Sequence, residues 1–303
     1  MTLTTLPPTI GVADFDALHD DLPRWRGVIE ALAAEHGRQP VRQMAESTVL
    51  VALLGRDKVI KLYPPFLRDH FAFEQAALAH LGGRLQVPTP ELLASGERDG
   101  WPFLVMTQLA GEPLTAVWPT LDEGQKCKLL ESLGSLAAQV HTLPLGDLRT
   151  LAQPWESFIQ AQRQRCVQRQ TRTGLPAHLL ARLDTFLQGD LPTGPDVILT
   201  GEHTPMNLLA HGGRLAGMFD FGDGLVGPAA YDWLGPLCFL TAGHADRCQA
   251  FFSGYGVQPD AAARQSLLRL LLLHRYSNLP AQIAMPQWQQ AGSFEELAAL
   301  IWP

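Results

Sequence analysis

The stretch 197–224, VILTGEHTPMNLLAHGGRLAGMFDFGDG, places an acid, an amide and a second acid around one sharp reversal of the chain. The adjacent Gly212 and Gly213 favour a two-residue hairpin turn, because both positions can adopt positive φ. With the turn there, Asn207 and Asp220 are predicted to be diagonal neighbours on one face of the ladder, about 7–8 Å apart. Their amide and carboxylate oxygens suit Mg²⁺, which completes its shell with water and substrate phosphates.

Glu202 precedes Asn207 by a short loop that Pro205 stiffens. A carboxylate in this place could accept a proton from an attacking hydroxyl, or orient that hydroxyl, beside a metal-bound phosphate. Acids and amides near turns more often cap the turn itself. From these residues alone, a chemical role and a capping role both remain open.

The N-terminal part of the chain is predicted to be rich in strands. Residues 14–36 are predicted to form one amphipathic helix, which Asp14 caps and Gly37 follows. Residues 41–109 show a β-β-α-β-β order, with turns at GRDK and ERDG and a further hairpin predicted for RQMAESTVLV. This order suits a small antiparallel sheet with one helix packed across it.

Beyond AGEPL the apolar spacing becomes helical, and helices resume after the hairpin from about Tyr231. The sequence therefore predicts an α+β protein of two lobes. The first lobe, residues 1–108, is an N-terminal extension with the β-rich part, and the second, residues 109–303, is mainly helical.

Composition narrows the class of partner. The chain has 303 residues and a net charge of −7, which argues against a nucleic-acid partner because phosphate backbones bind clustered cations. Its four cysteines are scattered without metal-ligand spacing and are expected to be reduced thiols. The N-terminus does not resemble a secretory signal and no stretch has the length of a membrane span, so a cytoplasmic protein without a membrane partner is expected.

The motifs together resemble a known family. TGEHTPMN, followed by MFDFG and GLVGPAAYDWLG, resembles the catalytic and metal loops of the aminoglycoside phosphotransferase and choline kinase group, and LGSLAAQVHTL resembles the helix that precedes them. That group has the bilobal protein-kinase-like fold. The matching positions are Gly201, Pro205, Asn207, Asp220, Gly227, Pro228 and Asp232.

A phosphoryl-transfer site also needs a cation that a carboxylate holds in place. Lys61 lies in the short apolar run VIKLYP, an unfavourable place for an unpaired charge, and Glu74 on the next helix is its natural partner. Taken alone, the two residues are better explained as a strand lysine that faces solvent and an exposed helix glutamate. The resemblance assigns them as the family's Lys–Glu pair, and with them ATP and Mg²⁺ as cofactors.

The resemblance implies two further nucleotide contacts. The segment FLVMTQLAGEPL matches the family's hinge, where backbone groups near Gln108 and Leu109 would meet the adenine. The first hairpin lacks a glycine, so Ser47 and Thr48 would offer hydroxyl and backbone donors to phosphate, unless they are ordinary turn residues. Residues 1–108 would then be the nucleotide-binding lobe and 109–303 the catalytic and substrate-binding lobe.

Two departures from the family pattern bear on catalysis. Thr200 stands where the family has His, and Glu202 stands where it has the catalytic Asp, so the carboxylate is displaced by about one bond length of 1.5 Å. His203 is a less favoured replacement base. The leading hypothesis is a phosphotransferase that uses a hydroxyl of a small molecule as acceptor. The alternatives are a nucleotide-binding pseudokinase or regulatory module, and a weaker one, nucleotidyl transfer.

The acceptor is less defined by the sequence. Arg163, Arg165, Arg169 and Arg172 lie in one helical segment and are either a solvated face or a site for an anionic acceptor. The C-terminal FEELAALIWP lacks a dense acidic cluster for a polycationic drug. A role in antibiotic resistance is therefore open and is not the expectation.

Overall fold

The structure, a computed structural model, describes residues 5–37, 39–45, 47–258 and 261–303. By their contacts these residues divide into two compact units. The first comprises the described residues of Met1–Arg84, Pro88–Ala110 and Met218–Asp223. The second comprises those of Leu85–Val87, Gly111–Gly217 and Gly224–Pro303.

The first unit is built on one antiparallel sheet. Its helices are α1 (Val12–Asp16), α2 (Leu22–Glu35) and α3 (Arg68–Leu81), and a 3-10 turn spans Pro65–Leu67. Its strands are β1 (Val41–Ala45), β2 (Leu50–Leu54), β3 (Lys58–Leu62), β4 (Leu92–Arg98) and β5 (Trp101–Thr107). The sheet order is β1-β2-β3-β5-β4, so β3 lies in the centre.

The strands and hairpins predicted for this unit are confirmed, and β1 adds a fifth strand through the first hairpin. The ERDG turn has positive φ at Asp99 (51°) and Gly100 (85°), as a tight hairpin turn requires. Helix α3 lies against the sheet, with Phe73, Glu74 and Leu78 on its buried side.

The single helix predicted for residues 14–36 is wrong. The chain forms two helices, α1 and α2, with a break at residues 17–21. Pro23 occupies the first turn of α2, where a proline favours a new helix start, and Asp14 lies inside α1 without capping it. Trp25 from α2 packs against Trp101 from β5 at 5.6 Å between ring centroids, which attaches the extension to the sheet.

The second unit is mainly helical. Its helices are α4 (Leu114–Val117), α5 (Glu123–Thr142), α6 (Leu148–Leu151), α7 (Trp155–Thr173), α8 (Ala177–Phe186), α9 (Ala230–Phe239), α10 (Ala245–Tyr255), α11 (Ala261–Leu273), α12 (Leu279–Gln282) and α13 (Phe294–Ile301). Short 3-10 turns span Trp118–Thr120, Pro205–Asn207 and Pro286–Gln290. In the described ranges, no helix combines the length and the apolar character needed to cross a bilayer.

Helices α5 and α10 approach each other closely through glycines. A Cβ atom at Gly134 would overlap the carbonyl oxygen of Phe251, and one at Gly254 would overlap the carbonyl oxygen of Glu131. Asp122 begins α5 with a capping box that it shares with Gln125. The long α5 is thereby fixed against α10 and carries His141 in its last turn.

Short strands carry the central stretch of the sequence. They are β6 (Glu112–Pro113), β7 (Asp196–Leu199), β8 (Leu208–His211), β9 (Arg214–Met218) and β10 (Leu225–Pro228). Strand β7 pairs with β10, and β6, β8 and β9 form a three-stranded sheet. The predicted hairpin is confirmed, because Gly212 and Gly213 have positive φ of 56° and 74° between β8 and β9.

The ladder positions predicted for Asn207 and Asp220 are wrong. Asn207 belongs to the 3-10 turn that Pro205 begins, one residue before β8. Strand β9 ends at Met218, and Asp220 follows it with a left-handed φ of 68°. A left-handed residue departs from the regular strand conformation, so Asp220 is placed by its own turn, and it belongs to the first unit.

Candidate active site

The first unit contains a buried lysine held by two carboxylates. Lys61 lies in β3, opposite Val51 of β2 and Leu104 of β5, so the sheet fixes its backbone on both sides. Its Nζ donates to Glu74 Oε1 at 3.0 Å and Oε2 at 2.7 Å, and to Asp220 Oδ1 at 2.7 Å. The Lys61–Glu74 pairing inferred from the sequence is present.

The electrostatics keep Lys61 charged. Burial alone would lower the pKa of Lys61, but the negative charges of Asp220 and Glu74 raise it well above its ordinary value. Burial also raises the pKa of Glu74, while Lys61 works against that rise. The Glu74 side chain has no exposed surface, whereas that of Asp220 is 32% exposed. Glu74 is therefore the internal partner, and Asp220 is the one that can also meet a ligand.

The turn of Asp220 explains the glycine two residues later. A Cβ atom at Gly222 would lie 3.2 Å from Glu74 Oε2, which is tight against a carboxylate that already has fixed donors. Phe221, which lies between Asp220 and Gly222 in the sequence, is almost fully buried. His70 of α3 lies 3.3 Å from Asp223 and adds a contact between the turn and the helix.

The predicted hinge and phosphate turn also lie in the first unit. The Gln108 backbone N–H donates to Asp57 O at 2.7 Å, so it is already used inside the unit. Among the described residues the backbone N–H of Leu109 makes no hydrogen bond. Ser47 and Thr48 lie in the bend between β1 and β2, with Thr48 exposed.

The second unit brings Glu202 and Asn207 together. The chain leaves β7, turns at Gly201 with φ of 82°, and enters the 3-10 turn that ends at Asn207. Asn207 Nδ2 donates to the Glu202 carbonyl at 3.2 Å and to its carboxylate Oε2 at 3.4 Å. This arrangement directs the amide hydrogens to Glu202 and leaves Oδ1 as the atom that could ligate a cation.

A buried aspartate holds this loop through its backbone. Asp232 Oδ2 accepts from the Thr200 N–H at 2.7 Å and from its hydroxyl at 3.1 Å, and Oδ1 accepts from the Gly201 N–H at 3.1 Å. His141 Nε2 lies 3.3 Å from the same carboxylate. Burial alone would raise the pKa of Asp232, but His141 and the backbone N–H of Thr200 lower it. The sequence indicated Asp232; a role for His141 was missed, although its position at the end of the LGSLAAQVH helix was the available signal.

His203 is enclosed beside this loop. Burial lowers its pKa to about 4, and its Nε2 has no hydrogen-bond partner among the described residues. It lines a cavity of about 10 Å³, room for about one water molecule, together with Thr204 and His274. A neutral, enclosed imidazole of this kind does not favour the alternative in which His203 replaces the catalytic carboxylate.

The four arginines of α7 do not form one surface. Arg169 is buried and donates to Gln162 and to the Leu272 carbonyl at the end of α11. This contact places a cation at a helix C-terminus, where the helix dipole favours it. Arg163 donates to the Leu187 carbonyl, and Arg165 and Arg172 are exposed. Two of the four therefore have structural contacts inside the unit.

The comparisons agree with this arrangement of motifs. The model of the phosphotransferase enzyme family matches residues 37–267, and the chain belongs to that family. Its fold is the protein-kinase-like fold, as the solved structures it resembles show. No curated protein matches the chain in sequence.

Three solved structures illustrate the likeness. The streptomycin–ATP ternary complex of APH(2")-IIa has a TM-score of 0.64 and 16% identity, covering 84% of this chain and 93% of that one. The GDP complex of aminoglycoside 2'-phosphotransferase-IIIa has a TM-score of 0.65 and 16% identity, covering 90% and 96%. Macrolide 2'-phosphotransferase MphH from Brachybacterium faecium has a TM-score of 0.60 and 21% identity, covering 85% and 98%.

Proposed function

We propose that the protein transfers the γ-phosphoryl group of ATP to a hydroxyl group of a small molecule, with Mg²⁺ as cofactor. The observation that carries the proposal is Lys61, a buried cation that two carboxylates hold on the central strand of the first unit. A cation fixed in this way is what phosphate oxygens need, since it neutralises their charge without reorganising. The complexes of similar proteins with ATP and GDP support a nucleotide as its ligand.

The proposed ligands for Mg²⁺ are the oxygen atoms of two side chains, Asp220 and Asn207. Asp220 uses Oδ1 for Lys61, which leaves Oδ2, and Asn207 keeps Oδ1. The donor types fit, because Mg²⁺ prefers carboxylate and amide oxygens and keeps several waters. Among the described residues no three His, Cys, Asp or Glu side chains form a metal-holding group, so water and phosphate would supply most of the shell. Bound there, Mg²⁺ would neutralise charge on the phosphates.

Glu202 is the proposed catalytic carboxylate. In the transfer, the acceptor oxygen forms a bond to the γ-phosphorus while the bond from that phosphorus to the β–γ bridging oxygen breaks and ADP leaves. The Glu202 carboxylate orients the attacking hydroxyl and accepts its proton. Asn207 and the backbone contacts of Asp232 hold the loop that carries Glu202.

One observation favours the alternative, a nucleotide-binding module without transfer. Glu202 is one methylene longer than the aspartate of the family pattern, and a misplacement of about 1 Å can cost about a hundredfold in rate. In this alternative Lys61, Asn207 and Asp220 retain nucleotide binding while Glu202 has lost the chemistry. The two functions therefore differ in turnover and agree in binding.

The acceptor is proposed as a small molecule with a free hydroxyl. The proposal that the acceptor is anionic depends on the exposed Arg165 and Arg172, since Arg163 and Arg169 donate to carbonyl oxygens of the second unit. Matched sets of neutral, cationic and anionic hydroxyl compounds, including aminoglycosides, macrolides, sugars and hydroxy acids, would test the charge. Each compound is incubated with the enzyme and Mg-ATP, and ADP release is compared with release without acceptor.

The decisive experiment compares Glu202→Gln and Glu202→Asp with the wild type on an acceptor that stimulates ADP release. Glu202→Gln should lower kcat by about a hundredfold or more while leaving the Kd for Mg-ATP unchanged. Glu295→Gln removes an exposed carboxylate of α13 and serves as the control. Full activity of Glu202→Gln would remove this carboxylate from the mechanism. Nucleotide binding without turnover in the wild type would establish the binding module, and AMP in place of ADP would show nucleotidyl transfer.

A further inference from the structure

Tyr63 follows β3 and shares a face of that strand with Lys61. Residues i and i+2 of a strand point to the same side, and the Tyr63 N–H still bonds to Pro102 O of β5 at 2.9 Å. The side chain is almost fully buried. Its ring packs edge-on against Phe71 of α3, with 5.6 Å between centroids, so the hydroxyl is held between strand and helix.

The hydroxyl completes the surroundings of Glu74. Tyr63 donates to Glu74 Oε2 at 2.5 Å, on the same oxygen that receives Lys61 at 2.7 Å, while Oε1 receives Lys61 at 3.0 Å. Since Glu74 has no exposed surface, bulk water does not reach its carboxylate in the folded protein. A buried carboxylate that loses a donor becomes easier to protonate, and a protonated Glu74 would no longer hold Lys61 by charge.

We propose that Tyr63 is a positioning residue for nucleotide binding: its hydroxyl holds Glu74 ionised and oriented toward Lys61, which in turn meets the phosphates. The inference rests on the proposed function, because it assigns a purpose to the Lys61–Glu74 pair. Asp220 is partly exposed and is also a proposed metal ligand, whereas Tyr63 and Glu74 are internal. They can keep Lys61 in place when Asp220 turns to other ligands.

The test is Tyr63→Phe, which keeps the ring and removes only the hydroxyl. We expect the Kd for Mg-ATP at pH 8 to rise about tenfold, the loss of one hydrogen bond to a charged group. The KM for ATP should rise similarly, and kcat should change less. At pH 6 the loss of affinity should be larger than at pH 8, because Glu74 then takes up a proton. Tyr276→Phe, an exposed tyrosine in the second unit, is the matched control.

A double-mutant cycle separates positioning from packing. If Tyr63 acts through Glu74, Tyr63→Phe should change nucleotide affinity little in a Glu74→Gln background. An equal loss in both backgrounds, or wild-type affinity of Tyr63→Phe at both pH values, would overturn the inference.

A nucleotide-free measurement distinguishes failure of the inference from failure of the proposed function. Carbon NMR of the side-chain carboxyl groups, with Glu74 assigned by Glu74→Gln, should show Glu74 titrating at higher pH in Tyr63→Phe than in the wild type. Unchanged titration refutes the role of Tyr63 even if nucleotide binds. If Glu74 titrates at higher pH in Tyr63→Phe and the wild type binds no nucleotide, the control of Glu74 by Tyr63 is supported and the proposed function is refuted. Should Tyr63→Phe fail to fold, tyrosine ionisation is followed by absorbance in the wild type and in Glu74→Gln. Burial and the negative charge of Glu74 raise the pKa of Tyr63, so Glu74→Gln should ease the ionisation of this buried tyrosine.

Discussion

Lowering the pH from 7 to 5 should destabilise the second unit through two buried histidines. His203 and His274 both lie in its interior beside the Glu202 loop. His274 stacks on Tyr231 with 4.5 Å between centroids, and its Nδ1 accepts the Tyr276 N–H at 3.2 Å. Protonation would remove that acceptor and bury a charge. Burial accordingly lowers the pKa of His203 to about 4 and that of His274 to about 3.

The sign and size follow from proton binding in the two states. Above pH 6.5 each ring is neutral whether the chain is folded or unfolded, and there is no contribution. Between pH 6.5 and the folded pKa only the unfolded ring takes up a proton, so stability falls as the pH falls. At pH 5 each histidine should cost about 2 kcal/mol, and the pair about 4 kcal/mol, of an unfolding free energy that is typically about 5–15 kcal/mol.

The assay is urea unfolding at pH 7 and pH 5 with conservative replacements. His203→Asn and His274→Asn each keep a polar atom near the Nδ1 position, which in His274 accepts the Tyr276 N–H. Each should reduce the loss of stability between the two pH values by about 2 kcal/mol, whatever its stability at pH 7. His211→Asn, at an exposed site at the end of β8, should leave the loss unchanged. Because Glu74 has a raised pKa and acts in the opposite direction, only differences between variants are interpreted. If both replacements show the wild-type loss, the two rings are protonated in the folded state and the reasoning fails.

Two further predictions concern packing and the loop that carries Glu202. Gly134→Ala should lower the free energy of unfolding in urea by about 1–3 kcal/mol, because the added Cβ would overlap the Phe251 carbonyl. Gly124→Ala, in the open first turn of the same helix, should not lower it. Equal stability of the two variants would contradict the close approach of α5 and α10. Asp232→Asn should lower the free energy of unfolding by about 2–3 kcal/mol, because the new amide cannot accept all the hydrogen bonds that the carboxylate accepts, including that from the Thr200 N–H. The rate of ADP release should fall as well. Unchanged unfolding and turnover would show that other contacts hold the loop.

The sequence predicted those elements whose determinants are local. The strands around ERDG and the hairpin at Gly212 follow from their turn residues, which adopt a positive φ that few other residue types accept. The N-terminal helix was mispredicted because its apolar spacing continues across Pro23, and only the proline indicates where a second helix begins. The position of Asp220 was mispredicted for a related reason: a strand pattern does not reveal the residue at which φ becomes left-handed.

The candidate site was predictable where charge demanded a partner. A lysine inside an apolar strand needs a carboxylate, and the next helix offered Glu74. The sequence does not single out Tyr63, because an aromatic residue at the end of a strand usually packs in the core. Nothing in the neighbouring sequence indicates that its hydroxyl contacts Glu74. The Asp232–His141 contact joins residues that are far apart in the chain, so spacing alone could not pair them.

The two departures from the family pattern, at Thr200 and Glu202, differ in their consequences. Asp232 holds the loop mainly by the backbone N–H groups of Thr200 and Gly201, and any residue except proline would offer such a group at position 200. The hydroxyl of Thr200 adds a third bond to the same carboxylate, so a threonine can take the place of the family's histidine without releasing the loop. The change at Glu202 has no such backbone substitute, because the carboxylate proposed to take part in the transfer belongs to the side chain itself. Its contact with Asn207 fixes the longer side chain within the loop, and whether this protein transfers phosphate therefore depends on the reach of one carboxylate more than on the integrity of the fold around it.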